Sequence, residues 1–277
     1  MAGGIHEWFN NLSLASIGLI FLASVLIAAR IGLSLRNWRE GNMGTDATEH
    51  SNQETCIVSG LLGLLALLLA FTFSLTIDRF EIRRALVITD SNSIGTAYLR
   101  VQLLPEPHRT RLSKLLLDYT RNRILLARAQ RDEVSLLLAR DDHLLGDIWS
   151  ATVAAHDAVK TLPLSMNLLD SMNAMIDADS SRRAERQANV PSRVLSALFL
   201  YLVITGAVFG YVLAGKRARI TATILMGLLA ISLLLIIDID QPKRGHIVES
   251  QAPMEAVLEI LKNQPPGTYD RWRGANE

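Results

Sequence analysis

Residues 55–77 read TCIVSGLLGLLALLLAFTFSLTI and contain no Asp, Glu, Lys or Arg. The hydrocarbon core of a bilayer, about 30 Å thick, is crossed by roughly 20 apolar residues in a helix. This stretch therefore reads as a membrane span, and three more windows without charge share its character: residues 8–29, 194–215 and 220–237. The 28 basic and 27 acidic residues crowd into the remainder of the chain. A soluble helical protein distributes charge along the outer faces of its helices, so this distribution excludes a soluble enzyme. A formal net charge of +1 also gives no electrostatic footprint for a nucleic acid. The leading MAGGIHEWFNN has no Lys or Arg and the first window outruns a usual signal-peptide core, so it is read as a span.

The expected fold class is all-α: a polytopic membrane protein with four transmembrane helices and a large helical extramembrane domain inserted between helices 2 and 3. Its divisions are an N-terminal tail 1–7, span 8–29, polar loop 30–54, span 55–77, helical domain 78–193, span 194–215, short basic loop 216–219, span 220–237, and a tail 238–277 with a short amphipathic helix. Four spans put both termini and the inserted domain on one side. That side carries Arg79, Arg83, Arg84, Arg182, Arg183, Arg186, Arg193, Lys243 and Arg244 near the spans, against Arg30, Arg36, Arg39, Lys216, Arg217 and Arg219 opposite. The bias predicts that the domain and termini are cytoplasmic.

Cys56 is the single cysteine, so no internal disulfide can form, and the six His residues are scattered without metal-site spacing. Neither a Gly-rich phosphate loop nor a Gly-x-Ser-x-Gly elbow occurs. No metal, cofactor or catalytic residue is predicted. His143 and His156, each beside an aspartate, suggest acid–base chemistry or, more plainly, a helix cap and a helix-face residue.

No proline interrupts residues 55–104, so the second span is expected to continue beyond the membrane as a rod of about 75 Å, with Gly95 its soft point and Pro105 and Pro107 its end. One amphipathic helix is predicted over roughly 107–140, and another opening at Asp141 or Asp142 as cap. A further apolar stripe comprises Leu168, Leu169, Met172, Met175 and Ile176. DADSSRRAERQANVPS reads as a polar linker, whose Arg182, Arg183 and Arg186 are either solvated or set against anionic lipid. Met254, Val257, Leu258 and Leu261 fall at i, i+3, i+4, i+7, the spacing of a helix that must dock on something.

Two stripes run along the second span. Leu69, Phe73 and Ile77 form a bulky one; Ser59, Gly63, Ala66, Ala70 and Ser74 form a small one. Small residues let helices approach closely in lipid, while bulky apolar rings can gate a pore by dewetting. Just beyond lie Asp78, Arg79, Arg83 and Arg84, on the membrane side where the fourth span ends in Asp238 and Asp240. This cluster reads as ion pairs between helices, Asp238 or Asp240 with Arg79 or Arg83, or alternatively as a gate at a pore mouth.

The stretch LLAFTFSLTIDRFEIRRALVITDSNSIGTAYLRVQLLPEPHR, together with VPSRVLSALFLYLV and IDIDQPKRGHIVESQAPM, resembles the signatures of the bacterial bestrophin-like membrane family. The resemblance covers about 55–262. It implies a distant likeness to bestrophins: pentameric anion channels with four spans per subunit, a helical cytoplasmic domain, and a second span whose bulky apolar residues line the neck. On that likeness Leu69, Phe73 and Ile77 are the constriction candidates, with Gly63, Ala70 and Ser74 as the alternative register. Chloride or another small anion is the implied partner, besides the lipid bilayer and further copies of the chain. The acidic run that binds calcium in animal bestrophins is not evident, so calcium activation is not implied. Against the channel stands a non-conducting membrane sensor or scaffold whose helical domain recruits a protein.

Overall fold

The computed structural model describes residues 14–42, 50–213, 215–241 and 247–272. The expected tail 1–7, the first residues of the first span, residues 43–49 of the polar loop, and Lys243 and Arg244 lie outside the described residues. Every regular element among the described residues is helical, and four of the helical stretches are long and apolar enough to cross a membrane. Helix α1 spans Leu14–Asn42, α2 His50–Val101, α3 His108–Arg128, α4 Arg131–Val159, α5 Leu164–Gln187, α6 Ser192–Val212, α7 Lys216–Asp240 and α8 Ala252–Asn263. A single 3₁₀ turn follows at Asp270–Trp272.

The chain divides into two compact units, one of residues 1–80 and 189–248, the other of residues 81–188 and 249–277. In the first, α1 packs against α6 and α7. Its core gathers Ile17, Phe21 and Val25 from α1, Leu65 and Leu69 from α2, Leu198, Leu202 and Phe209 from α6, and Met226 and Leu233 from α7. The α1–α6 crossing is set by glycine. A Cβ on Gly32 would lie 1.9 Å from the Ala207 carbonyl oxygen, and one on Gly210 would lie 1.9 Å from that of Ala29. The two backbones are in contact, the arrangement small residues permit where lipid supplies no hydrophobic drive between helices. Helix α1 continues past Arg30 to Asn42, and Lys216 already belongs to α7. A charge marks the edge of an apolar window, but nothing about a charge unwinds a helix that has reached water.

The second unit builds its own core from Ile94, Tyr98 and Val101 of α2, Leu112, Leu116 and Tyr119 of α3, Ile148 and Ala155 of α4, and Leu168, Met172 and Met175 of α5. Helix α3 packs on α4 and α8, and α4 on α5. The expected tail helix is present: Met254 and Leu261 of α8 are buried in this core. So is the long helix, since α2 runs 52 residues without a break and passes through Gly95.

Three local expectations are corrected. The helix expected over 107–140 is two, separated at Ala129 and Gln130, where the Gln130 amide donates to Glu133 Oε2 at 3.4 Å and starts α4. Asp141 and Asp142 therefore lie inside α4 and cap nothing. The expected polar linker is largely helix, because α5 extends to Gln187. Arg182 and Arg183 pair there with carboxylates from other helices.

Candidate functional site

Along the apolar part of α2, the residues turned toward the rest of the chain are Leu65, Leu69, Thr72 and Thr76, all buried. The two threonine hydroxyls are satisfied within the helix, Thr72 donating to the Leu68 carbonyl at 2.8 Å and Thr76 to the Thr72 carbonyl at 2.7 Å. That back-bonding lets a hydroxyl sit where no water is available. At about 100° per residue, Gly63, Ala70 and Ser74 fall on the side opposite Leu65 and Thr72. These three and Ala66 are exposed, as is Ser59 one turn earlier, and a Cβ on Gly63 would meet nothing within 4 Å. A helix surface left to hydrocarbon carries Leu, Ile and Phe at little cost. A continuous Ser–Gly–Ala face is instead suited to close approach by another helix.

The bulky stripe does not share one environment. Leu69 is 6% exposed and belongs to the first unit's core, Phe73 is 39% exposed, and Ile77 is half-buried. Phe73 and Ile77 flank the small face, while Leu69 lies nearer the buried one.

The charges that follow the apolar part of α2 and those that end α7 differ in exposure. Asp78 is exposed. Arg83 donates from Nε to Glu249 Oε1 at 2.6 Å, with both side chains almost fully buried. The exposed Arg84 pairs loosely with Glu81 at 3.4 Å. Asp240 accepts the Val190 amide at 2.9 and 3.2 Å with its two oxygens, joining the end of α7 to the segment ahead of α6. Asp238, like Asp240, is buried, and Arg79 is half-buried; each is engaged in a polar interaction.

The second unit holds a buried ionic hub absent from the sequence reading. Arg123 of α3 reaches Asp90 of α2 (2.8 Å), Asp141 of α4 (3.2 Å) and Asp179 of α5. Arg182 bonds Asp90 at 2.9 Å, and Arg183 bonds Asp141 at 2.7 Å and Asp142 at 2.6 Å. Three arginines thus face three buried aspartates and the exposed Asp142 across four helices. Burial pushes the Asp179 carboxyl up, against the pull of Arg123 and Arg183. Burial likewise raises Tyr119 well above an ordinary phenol, partly offset by Arg123. The signal was present in the sequence: Asp90 sits in the stripe Val87, Asp90, Ile94, Ala97, and Arg123 in the stripe Leu116, Tyr119, Arg123. A charge embedded in a helix's apolar face needs a buried partner. No group of three or more His, Cys, Asp or Glu suited to a metal occurs among the described residues.

The bestrophin-like domain profile matches residues 19–254. Among solved structures, the chain is similar to a tryptophan-to-alanine variant of a bacterial bestrophin homologue from Klebsiella pneumoniae, with 16% identity and a TM-score of 0.65, covering 91% of this chain and 97% of that one. It is also similar to a structure of the Klebsiella pneumoniae homologue obtained by zinc phasing, with 15% identity and a TM-score of 0.63 over 88% and 96% of the two chains. A glycine-to-alanine variant described only as a membrane protein gives 15% identity and a TM-score of 0.66 over 90% and 99%. No curated protein matches by sequence. With most of its length inside the domain match and the same fold at low identity, the chain belongs to the bestrophin-like family.

Proposed function

We propose that the protein is an oligomeric, anion-conducting channel of the inner membrane, with the apolar part of α2 lining the pore. The observation that carries this reading is the exposed face Gly63, Ala66, Ala70, Ser74, opposite the buried face of the same helix and edged by Phe73. Copies of the chain arranged about an axis would bring these faces together, and family likeness implies five copies. Phe73 and Ile77 then narrow the path, Leu69 borders it from the core side, and the small residues leave width between rings. One chain is too thin to wall a pore, so conduction requires the ring. In this reading the domain inserted between the second and third spans is cytoplasmic, and Asp78 and Arg79 set the potential at the inner mouth.

A non-conducting scaffold is the competing reading, favoured by a second unit with a core of its own. Chloride efflux from liposomes carrying the purified protein separates the two. The channel predicts efflux above empty liposomes that rises or changes selectivity with Phe73→Ala. A folded, inserted protein that passes no ion, and that runs as a monomer or dimer, sinks the channel.

A further inference from the structure

Arg186 is the odd cation of the second unit. It lies one helical turn beyond Arg182 on α5 and is half-buried, yet no hydrogen bond or ion pair reaches it among the described residues. Its neighbours are already committed. Arg83 holds Glu249. Arg182 shares Asp90 with Arg123 and gives its other terminal nitrogen to Gln251 at 2.6 Å. The buried Nε of Arg182 also finds no acceptor among the described residues. Burial, and then Arg182 and Arg123, push the Arg186 guanidinium down to about 10, against the pull of Glu249 and Asp90. A partly buried guanidinium beside a second one, with donors left over on both, lacks an acceptor that carries negative charge.

We propose that Arg186, with the free Nε of Arg182, binds a phosphate-type oxyanion at the C-terminal end of α5. The planar fork of Arg186 matches two oxygens of a tetrahedral anion, which chloride cannot offer. Glu249 and Gln251 are held by Arg83 and Arg182 and leave Arg186 without a protein acceptor among the described residues. The site stands on contacts within the second unit, independently of whether the protein conducts. The same chemistry could reach it as free phosphate or as an anionic lipid headgroup.

The test is thermal unfolding of the full chain in nanodiscs of phosphatidylcholine, with inorganic phosphate titrated against chloride at constant ionic strength. Phosphate at tenfold its dissociation constant should raise Tm by on the order of 3 °C. Arg186→Gln should abolish that shift and, having no partner to lose, should be no less stable than the wild type without phosphate. The exposed Arg121→Gln should keep the shift. Phosphatidylglycerol nanodiscs distinguish the source: a headgroup ligand raises the wild-type Tm above that of Arg186→Gln before any phosphate is added, and blunts the later response. No shift in either lipid, or an equal shift in wild type and Arg186→Gln, overturns the site.

Discussion

Arg83 and Glu249, 166 positions apart, meet as a buried ion pair at 2.6 Å. The contact ties the start of the second unit's share of α2 to the segment ahead of α8. Two desolvated ions gain little net stability from each other, but removing one strands the other. Glu249→Ala should therefore destabilise the protein by about 3–5 kcal/mol, while the double variant Arg83→Met, Glu249→Leu should recover most of that loss. Denaturation of the three proteins side by side measures it; a double variant as unstable as the single one would mean that packing, not charge, holds the segment.

The Arg123 hub predicts a pH signature. Arg123→Leu leaves the buried Asp90, Asp141 and Asp179 facing Arg182 and Arg183 alone. A carboxyl raised in the folded state, as burial already raises Asp179, binds its proton more tightly folded than unfolded. The stability it contributes is full below the unfolded value near 3.8 and is lost as pH rises through the folded one. The deficit of Arg123→Leu against wild type, about 3–5 kcal/mol near neutrality, should thus narrow as pH falls toward 4. Unfolding curves at stepped pH read the trend; a deficit that widens on acidification contradicts it.

Glycines on three helices predict two opposite outcomes. Gly210→Ala drives a methyl into the Ala29 carbonyl, and Gly32→Ala does the same at Ala207. Each should force α1 and α6 apart and cost about 1–3 kcal/mol. Gly63→Ala meets nothing in its own chain. It should leave the subunit's stability unchanged while altering assembly. Thermal unfolding and mass measurement of the detergent-solubilised particle separate subunit from ring.

If α2 lines a pore, Ser74 faces water along the axis. In a Cys56→Ser background, Ser74→Cys should react with a water-borne thiol reagent and lose most of its anion flux on modification, whereas Cys at the buried Thr76 should react far more slowly. Equal labelling of the two positions by a lipid-soluble reagent alone would place both outside any aqueous path.

The helical elements were legible in the residues alone. Charge-free runs of bilayer length specify spans because hydrocarbon cannot solvate a charge or an unpaired backbone group. The absence of proline from residues 55–104 let α2 run unbroken, and four apolar positions at helical spacing announced α8. The tertiary structure decided which face of each helix has a partner. Both stripes of the second span are apolar, so only the burial of Leu65, Leu69, Thr72 and Thr76 left the small face open. The same holds for the charges: Arg83 with Glu249, and Arg123 with Asp90, Asp141 and Asp179, are joined between segments distant in sequence. Local pattern records that a residue is charged and which stripe it occupies. Its partner is set by how the helices come together, because a buried ion is stable only where packing supplies its counter-charge.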